Sequence, residues 1–321
     1  MKAVQMTTYG GSEVLEIVDM PNPTAGKGQV LVAVHAVSIN PFDGKIRAGY
    51  LKEMMPLHFP VTVGGDFAGV VTAIGEGVSV LKIGDEIYGS AIVLNGGSGA
   101  FAEFAAVNVA NAALKPESAS FEEAAALPLV GSSAIQALEE HVKLQAGQKI
   151  LIHGGAGGIG HIAIQIAKAL GAYVATTVGS DDLEFARNLG ADEVIDYKNQ
   201  HFEEVLKGYD AVYDTVGGET MKKSFQVLKE KGVIVSMLGQ PDPELAKEHA
   251  VTAIGQGTKT DAQKLNRLRE LVDSGKVKVH IDKVFPLSEV REAFDYQEKA
   301  RPRGKVVVSI TSQDTYFSLF H

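Results

Sequence analysis

A glycine-rich turn is the part of this sequence whose residue types and spacing best suit a specific chemistry. A G-x-G-x-x-G pattern lies between the apolar run Lys149–His153 and the helical segment His161–Leu170. In that setting the first glycine permits a tight turn, the second lets the backbone approach a pyrophosphate, and the third lets the helix pack on the strand. N–H groups at the helix N-terminus then face the phosphates. The pattern predicts a dinucleotide site, with a turn that binds nothing as the alternative, at Gly155, Ala156, Gly157, Gly158, Ile159 and Gly160.

The choice between NAD and NADP depends on the end of the next predicted strand, Tyr173–Val178. Proteins that bind NAD place an Asp or Glu there, about 20 residues after the glycines, to bond the ribose 2′-hydroxyl. Here the acids Asp181 and Asp182 come only after the turn. Because no carboxylate would repel a 2′-phosphate, the sequence favours NADP(H), although the usual arginine is also absent. The candidate donors to that phosphate are Ser180, Tyr197 and Lys198.

Strands and helices alternate after about residue 120, and alternation of this kind predicts a doubly wound parallel sheet of the α/β class. The predicted strands are Lys149–His153, Tyr173–Val178, Glu193–Tyr197, Ala211–Val216 and Gly232–Leu238. The predicted helices are Glu122–Leu138, His161–Leu170, Asp182–Leu189, Thr220–Lys229 and Asp261–Ser274. The glycine turn follows the first of these strands.

The first 120 residues have a different pattern, in which short apolar or β-branched runs are interrupted by glycine turns. Val30–Val34, Gly69–Ile74 and Glu86–Tyr88 are examples. Such spacing predicts a mostly antiparallel, barrel-like β unit. A last strand is predicted over Gly304–Ile310. The tail Thr311–His321 is expected to be a frayed terminus, and docking of its apolar residues Phe317, Leu319 and Phe320 is the alternative.

Composition excludes several function classes. The chain has 321 residues, which predicts about two domains at ~150 residues each. With 30 Lys and Arg against 39 Asp and Glu, its net charge of −9 argues against nucleic acid and membrane-surface partners. The absence of cysteine excludes disulfides, Cys–zinc sites and a thiol nucleophile, and suits a cytoplasmic location. Neither a signal peptide at Met1–Val4 nor a membrane span is expected.

Several motifs, in this order, resemble the zinc-free quinone oxidoreductase and enone reductase branch of the medium-chain dehydrogenase/reductase superfamily. The matching segments are Ser38–Asp43, Gly64–Val71, Gly84–Gly89, Leu127–Gly131, His153–Gly160, Leu189–Asp192, Asp210–Gly218 and Gly304–Val308. The resemblance implies a GroES-like β-barrel catalytic domain over residues 1–123, to which residues 266–321 return. It also implies a Rossmann dinucleotide-binding domain over 124–265 and a homodimer.

The resemblance also directs attention to the metal position. Zinc-dependent relatives bind their catalytic ion with Cys, His and Cys or Asp, whereas the matching positions here hold Asn40, Gly65 and Val130. None of these is a usual zinc ligand, so no metal is expected. Without a Lewis acid, alcohol oxidation would lack its main charge stabiliser. Quinones and α,β-unsaturated carbonyls need less stabilisation from the protein, because conjugation spreads the negative charge that hydride addition creates. We therefore expect an NADPH-dependent enzyme that transfers hydride to a quinone or enone without zinc.

Three residues are candidates for catalysis. Asn40, at the metal position of relatives, is the expected hydrogen-bond donor to the nascent oxyanion, and a turn residue before Pro41 is its alternative role. Lys45 matches a lysine of plant enone reductases, and Tyr50 is the third candidate. The alternatives for these two are a solvated surface lysine and a packing aromatic.

Further residues are expected to contact the cofactor because of the same resemblance. Ser133 matches a Thr or Ser that contacts the nicotinamide, with helix N-capping as its alternative role. Gly239 and Gln240 should lie beside the nicotinamide ribose. Arg303 and Lys305 are candidates for contacts with the cofactor phosphates, or form a surface pair.

Two other functions stay open from the sequence. An enoyl-thioester reductase of the same superfamily would need a long apolar channel. A non-catalytic NADPH-binding protein, such as a crystallin-like or RNA-binding relative, would have lost turnover. The acidic composition argues against RNA, and Asn40 and Lys45 argue for retained catalysis.

Overall fold

The computed structural model describes residues 1–310, so the predicted tail Thr311–His321 lies outside the described part. The strands are β1 (Lys2–Met6), β2 (Glu16–Asp19), β3 (Gln29–Ile39), β4 (Val61–Thr62), β5 (Asp66–Ile74), β6 (Glu86–Ser90), β7 (Phe104–Asn108), β8 (Ala112–Leu114), β9 (Lys149–His153), β10 (Tyr173–Val178), β11 (Glu193–Asp196), β12 (Tyr209–Asp214), β13 (Leu228–Ser236), β14 (Thr252–Gly255), β15 (Ile281–Pro286) and β16 (Lys305–Ser309). The α-helices are α1 (Pro41–Arg47), α2 (Phe121–Ala125), α3 (Pro128–Ile135), α4 (Gly158–Ala169), α5 (Leu183–Asn188), α6 (Phe202–Val205), α7 (Gly218–Ser224), α8 (Pro243–Glu248), α9 (Ala262–Asp273) and α10 (Val290–Lys299). Within residues 1–310 no helix is both long enough and apolar enough to cross a membrane.

The chain divides into two compact units. The first contains Met1–Leu129, Thr260–Asp273 and the described residues from Val279 onward, and the second contains 130–259 and 274–278. The predicted boundaries at 123 and 266 therefore differ from the observed ones by six residues each. Helix α9 belongs to the first unit because Leu265 and Leu268 are buried and the buried Tyr88 hydroxyl donates a 2.6 Å hydrogen bond to the Leu265 carbonyl.

The second unit contains a six-stranded parallel sheet with strand order β11-β10-β9-β12-β13-β14. This is the order of a doubly wound dinucleotide-binding sheet, which binds its ligand where the strand order reverses, between β9 and β12. Parallel strands are covered on both faces, so they need near-continuous apolar runs. Ile150, Leu151 and Ile152 of β9 are accordingly inaccessible to solvent. The predicted fold class is confirmed.

The first unit is mainly antiparallel. Its larger sheet has the order β15-β16-β3-β5-β6-β8, with β7 also paired to β3, and β2-β1-β4 form a separate small sheet. Among the described strands of this unit, only β15 and β16 are parallel to each other. The long strand β3 is central, since β5, β7 and β16 all pair with it. The core between these strands and α10 includes Phe67, Phe101 and Phe294.

Two predicted helices are wrong in extent. The segment predicted as one helix over Glu122–Leu138 contains α2 and α3, and α3 continues as a π-helix over Gln136–His141. Pro128 causes the break because it lacks an N–H and disfavours helical conformation in the residue before it. The helix predicted over Thr220–Lys229 ends at Ser224, and β13 begins at Leu228.

Candidate active site

The glycine turn joins β9 to α4 in the second unit, and Gly157 is the N-cap of that helix. A Cβ added at Gly155 would lie 2.1 Å from Thr176 Oγ1, and one at Gly160 would lie 2.1 Å from the Gly154 carbonyl oxygen. These two positions need glycine for the turn itself to pack. At Gly157 an added Cβ would meet only the Gly154 carbonyl oxygen, at 3.3 Å. Packing therefore demands glycine least at Gly157, the position predicted to approach a pyrophosphate.

His153 ends β9 directly before this turn and is fully buried. Its Nδ1 lies 2.9 Å from Thr177 Oγ1, and its Nε2 lies 2.9 Å from Ser224 Oγ. The Ser224 hydroxyl donates to the Thr220 carbonyl at 2.7 Å, so it accepts from Nε2–H and leaves Nδ1 as the acceptor. Burial lowers the pKa of His153 to about 4. The imidazole is thus a neutral structural group with both nitrogens bonded.

The residues expected near a 2′-phosphate meet at the carboxyl ends of β10 and β11, where Val178 pairs with Asp196. A Cβ added at Gly179 would lie 3.5 Å from the Tyr197 hydroxyl oxygen and 3.8 Å from Lys198 Nζ. Lys198 is half-exposed, and its ammonium is 3.8 Å from an Asp181 carboxylate oxygen.

The Ser180 hydroxyl, expected as a donor to the 2′-phosphate, is bonded to a carboxylate of the protein instead. Its hydroxyl donates to Asp196 Oδ2 at 2.7 Å, and hydrogen bonds from Ser180 and Asn199 hold the pKa of Asp196 below its usual range. Since a hydroxyl has one hydrogen, Ser180 would have to release this carboxylate before donating to a phosphate. Lys198 and Tyr197 are therefore better placed than Ser180 as donors.

A buried polar cluster surrounds Asn40 in the first unit. Asn40 is the N-cap of α1 and is 2% exposed, and its backbone N–H donates to Asp43 Oδ2 at 2.8 Å. Its side-chain Nδ2 donates to Asp66 Oδ2 at 2.9 Å. Lys305 Nζ donates to Asn40 Oδ1 at 2.5 Å and to the Ile39 carbonyl at 2.8 Å. Both ends of the Asn40 amide thus contact a charged side chain.

The charges of this cluster are shielded from water. Asp66 Oδ2 also accepts hydrogen bonds from the Leu129 N–H at 3.2 Å and the Ser38 hydroxyl at 3.4 Å. Burial raises the pKa of Asp66, and it raises the pKa of Asp43 to about 7. Burial lowers the pKa of Lys305, and the nearby Asp66 and Asp43 carboxylates oppose that shift.

The position of Lys305 corrects the expectation that it contacts cofactor phosphates. Strand β16 runs antiparallel to β3 with Val306 opposite Ile39, so Lys305 begins β16 beside Asn40. Its ammonium is turned into the core and is bonded there. Arg303, two residues earlier, is exposed.

The other two catalytic candidates lie at the surface of the first unit. Lys45 is exposed on α1, five residues after Asn40. Tyr50 follows α1 and is 79% exposed. The packing role considered for Tyr50 does not fit this exposure.

Ser133 is fully buried inside α3, which begins at Pro128, so Ser133 is not a helix N-cap. Its hydroxyl lies 2.6 Å from that of Thr258. The neighbouring Ser132 hydroxyl is also buried, and it has no hydrogen-bond partner in the described part of the chain. A polar ligand group reaching this helix would find a hydroxyl to bond.

Gly239 and Gln240 follow β13 at the sheet's carboxyl edge. Gly239 has a φ of +114°, which favours glycine. Gln240 donates from Nε2 to the Ala253 carbonyl and accepts the Gly255 N–H at Oε1, both at 3.0 Å. Its amide therefore bonds the backbone of β14 at both ends, which leaves its backbone as the better candidate for a ribose contact.

The three residues at the zinc position of relatives do not fit that metal. Both ends of the Asn40 amide are bonded, Gly65 has no side chain, and Val130 is a buried apolar residue. Across residues 1–310 no group of three His, Cys, Asp or Glu side chains is placed to hold a metal ion. A glycine cradle at a helix N-terminus, by contrast, fits a dinucleotide.

The chain matches two family models. Residues 26–117 match the family model described as alcohol dehydrogenase GroES-like domain, and residues 189–308 match the one described as zinc-binding dehydrogenase. The chain is 40% identical over 319 residues to a 2-methylene-furan-3-one reductase of Solanum lycopersicum, covering 96% of this chain and 79% of that protein. It is 38% identical over 318 residues to a chloroplastic NADPH-dependent alkenal/one oxidoreductase of Arabidopsis thaliana, with the same coverage.

A solved structure extends the likeness to three dimensions. The quinone oxidoreductase of Coxiella burnetii has a TM-score of 0.90 and 36% identity, covering 97% of this chain and 99% of that one. A GroES-like unit joined to a Rossmann unit defines the medium-chain dehydrogenase/reductase superfamily. Within it, this chain belongs to the quinone oxidoreductase and enone reductase branch.

Sequence reasoning did not identify the partners of Asn40. The sequence places Asp43 and Asp66 only within matching segments, and it offers Lys305 only as a candidate for a phosphate contact or a surface pair. One signal in the sequence could have indicated these partners: a charged residue stands at the first position of an apolar strand, Asp66 in β5 and Lys305 in β16. Charges in such positions are rarely buried unless they are paired.

Proposed function

We propose that this protein is an NADPH-dependent oxidoreductase that reduces quinones or α,β-unsaturated carbonyls without zinc. The observation that carries the proposal is the Asn40 amide, a bonded hydrogen-bond donor at the position where zinc-dependent relatives hold their metal. The named activities of the tomato and Arabidopsis relatives and of the Coxiella enzyme support the substrate class.

The second unit would hold the cofactor. Backbone N–H groups of the turn from Gly155 to Gly160 would bind the pyrophosphate at the N-terminus of α4. Lys198 and Tyr197 would contact the 2′-phosphate. The positive charge of Lys198 would attract this phosphate, whereas the carboxylate of an NAD-selective protein would repel it. When bound, NADPH supplies the hydride.

The first unit would stabilise the charge that hydride addition creates on the substrate oxygen. An amide nitrogen carries two hydrogens, and Asn40 gives one of them to Asp66. The second hydrogen is the donor we assign to the developing oxyanion. The exposed side chains of Lys45 and Tyr50 are proposed as further donors to the substrate oxygen or as its source of a proton.

The substrate class follows from this limited stabilisation. A hydrogen-bond donor is weaker than a metal ion at drawing charge from an oxygen. Quinones and enones delocalise the incoming charge over a conjugated system, so they demand less from the protein. Unactivated ketones and alcohols demand more, and we expect poor turnover with them.

The test is NADPH oxidation, followed by absorbance, with 1,4-benzoquinone, a small enone and a long-chain enoyl thioester in parallel. Turnover with the first two and little with the thioester supports the proposal. Preference for the thioester would favour an acyl-chain enoyl reductase. Tight NADPH binding with no turnover would favour a non-catalytic protein. Activity that is lost on treatment with a strong zinc chelator would contradict the zinc-free mechanism.

The homodimer and the cytoplasmic location stay predictions. The absence of cysteine supports a reducing compartment, and light scattering of the purified chain would test the dimer.

A further inference from the structure

Two buried side chains of opposite charge contact opposite ends of the Asn40 amide. The Lys305 ammonium bonds its oxygen at 2.5 Å, and the Asp66 carboxylate accepts from its nitrogen at 2.9 Å. Lys305 is 3% exposed and Asp66 is 2% exposed. Hydrogen bonds between charged and neutral groups are shorter and stronger than neutral ones, and water does not compete for these two.

This arrangement allows the amide only one orientation. A flip about the terminal torsion of Asn40 would turn its NH₂ toward the Lys305 ammonium and its oxygen toward the Asp66 carboxylate. Both new contacts would be repulsive between side chains this deeply buried, because ammonium cannot accept a hydrogen bond and ionised carboxylate cannot donate one. The nitrogen therefore stays on the Asp66 side.

The two charged residues are themselves held in place. Lys305 also donates to the Ile39 carbonyl at 2.8 Å, on the residue before Asn40. Asp66 also accepts from the Leu129 N–H and the Ser38 hydroxyl. Asp43 accepts the Asn40 backbone N–H at 2.8 Å, which fixes the main chain at the start of α1.

We propose that Lys305 and Asp66 are positioning residues that orient and polarise the Asn40 amide, so that its second Nδ2 hydrogen is presented to the substrate oxygen. The inference rests on the proposed function, in which Asn40 is the donor. Lys305 draws electron density toward Asn40 Oδ1, and the amide N–H becomes a stronger donor as a result. Neither charged side chain has to touch the substrate.

A buried pair of charges is an expensive way to stabilise a fold. Replacing such a pair by apolar side chains is often neutral or stabilising, whereas removing one partner leaves an unpaired charge and is costly. Orientation of a donor gives Lys305 and Asp66 a role that an apolar pair could not perform.

The test is a double-mutant cycle on kcat for enone reduction with Lys305→Met, Asn40→Ala and the double variant. Lys305→Met should lower kcat about 10- to 100-fold, the loss expected for a charge-assisted hydrogen bond. In the Asn40→Ala background the same change should alter kcat by less than about twofold, because Lys305 acts through Asn40. The dissociation constant for NADPH should stay the same in all variants.

The matched control is Lys283→Met, which removes an exposed lysine from β15, the strand paired with β16. It should leave kcat unchanged. If Lys305→Met does not fold, the variant Asp66→Asn with Lys305→Met removes both charges that contact the Asn40 amide, so no carboxylate is left at Asp66 without its counter-charge. We expect it to fold and to show the same low kcat.

Three outcomes would overturn the inference. They are a Lys305→Met enzyme with unchanged kcat, an equal loss in both backgrounds, and a doubly substituted Asp66→Asn, Lys305→Met enzyme with full activity. Failure of the proposed function would look different, because the unmodified protein would then not reduce any enone or quinone.

Discussion

The imidazole of His153 and the hydroxyl of Thr177 meet at 2.9 Å across two neighbouring parallel strands, directly before the glycine turn. The two residues are register partners of β9 and β10, and both are buried. The Gly155 N–H donates to the Thr177 carbonyl at 3.1 Å, which anchors the turn to the same strand. The geometry of the turn thus depends on a histidine that stays neutral.

His153 should make the protein less stable in acid. Its pKa is about 4 when folded and near 6.5 when unfolded, so between these values only the unfolded chain binds the proton. Stability therefore falls as pH drops from about 6.5 to about 4, by up to about 1.4 kcal/mol per pH unit from this group. Urea unfolding at several pH values should show a shallower acid loss for His153→Gln. His58→Gln, at an exposed histidine, should keep the original slope. Identical slopes for His153→Gln and the unmodified protein would contradict this account.

Gly157→Ala and Gly160→Ala should separate cofactor binding from folding. At Gly157 the new Cβ meets only a carbonyl oxygen at 3.3 Å, so the free energy of unfolding should change by no more than about 1 kcal/mol. The affinity of Gly157→Ala for NADPH should nevertheless fall about tenfold or more, because the new methyl group would keep the pyrophosphate from approaching the backbone.

Gly160→Ala is the contrasting variant, since its Cβ would lie 2.1 Å from the Gly154 carbonyl oxygen. It should lose both stability and NADPH affinity. Calorimetric titration and thermal unfolding measure the two effects. Unchanged NADPH affinity in Gly157→Ala would show that the pyrophosphate does not approach this residue.

Lys198→Met should reduce the preference for NADPH over NADH. We expect kcat/KM with NADPH to fall about tenfold through loss of a charged contact to the 2′-phosphate, and the value with NADH to stay the same. Lys247→Met is a suitable control, because Lys247 is exposed on α8, which packs on β14 at the opposite edge of the sheet. Equal losses with both cofactors would argue against a 2′-phosphate contact.

Asn40→Ala should lower kcat for enone reduction roughly ten- to a thousandfold, since removal of one oxyanion donor costs up to about a thousandfold. Asn108→Ala is the matched control, because the Asn108 side chain accepts the Ala110 N–H in a purely local cap. That variant should lose some stability and no kcat. If Asn40→Ala keeps its kcat, Asn40 has no part in the reaction and the donor must be sought at Lys45 or Tyr50.

Local sequence patterns predicted the nucleotide-binding unit well. The bounds of β9 and β10 agree with the predicted strands Lys149–His153 and Tyr173–Val178. Buried parallel strands must be continuous apolar runs, and such runs stand out between glycine turns. The glycine motif is equally local, because each of its residues serves the turn in which it lies.

Prediction was poorer where tertiary contacts override local preference. Strand β13 begins at Leu228, four residues before the predicted Gly232, so its first two residues lie in the segment Thr220–Lys229 that local preference predicts as a helix. Pairing with β12 and β14 supplies its backbone hydrogen bonds. Helix α3 and its π-helical extension likewise depend on their surroundings more than on the amphipathic period.

The sequence by itself determined the class of fold, the dinucleotide turn and the absence of metal-binding side chains at Asn40, Gly65 and Val130, because these depend on residue types at close spacing. Only the tertiary structure decided what surrounds Asn40. Lys305 is 265 residues away along the chain and arrives there through the pairing of β16 with β3. Such a contact leaves no local periodicity, since its free energy arises only when distant strands assemble and exclude water from the charges they carry.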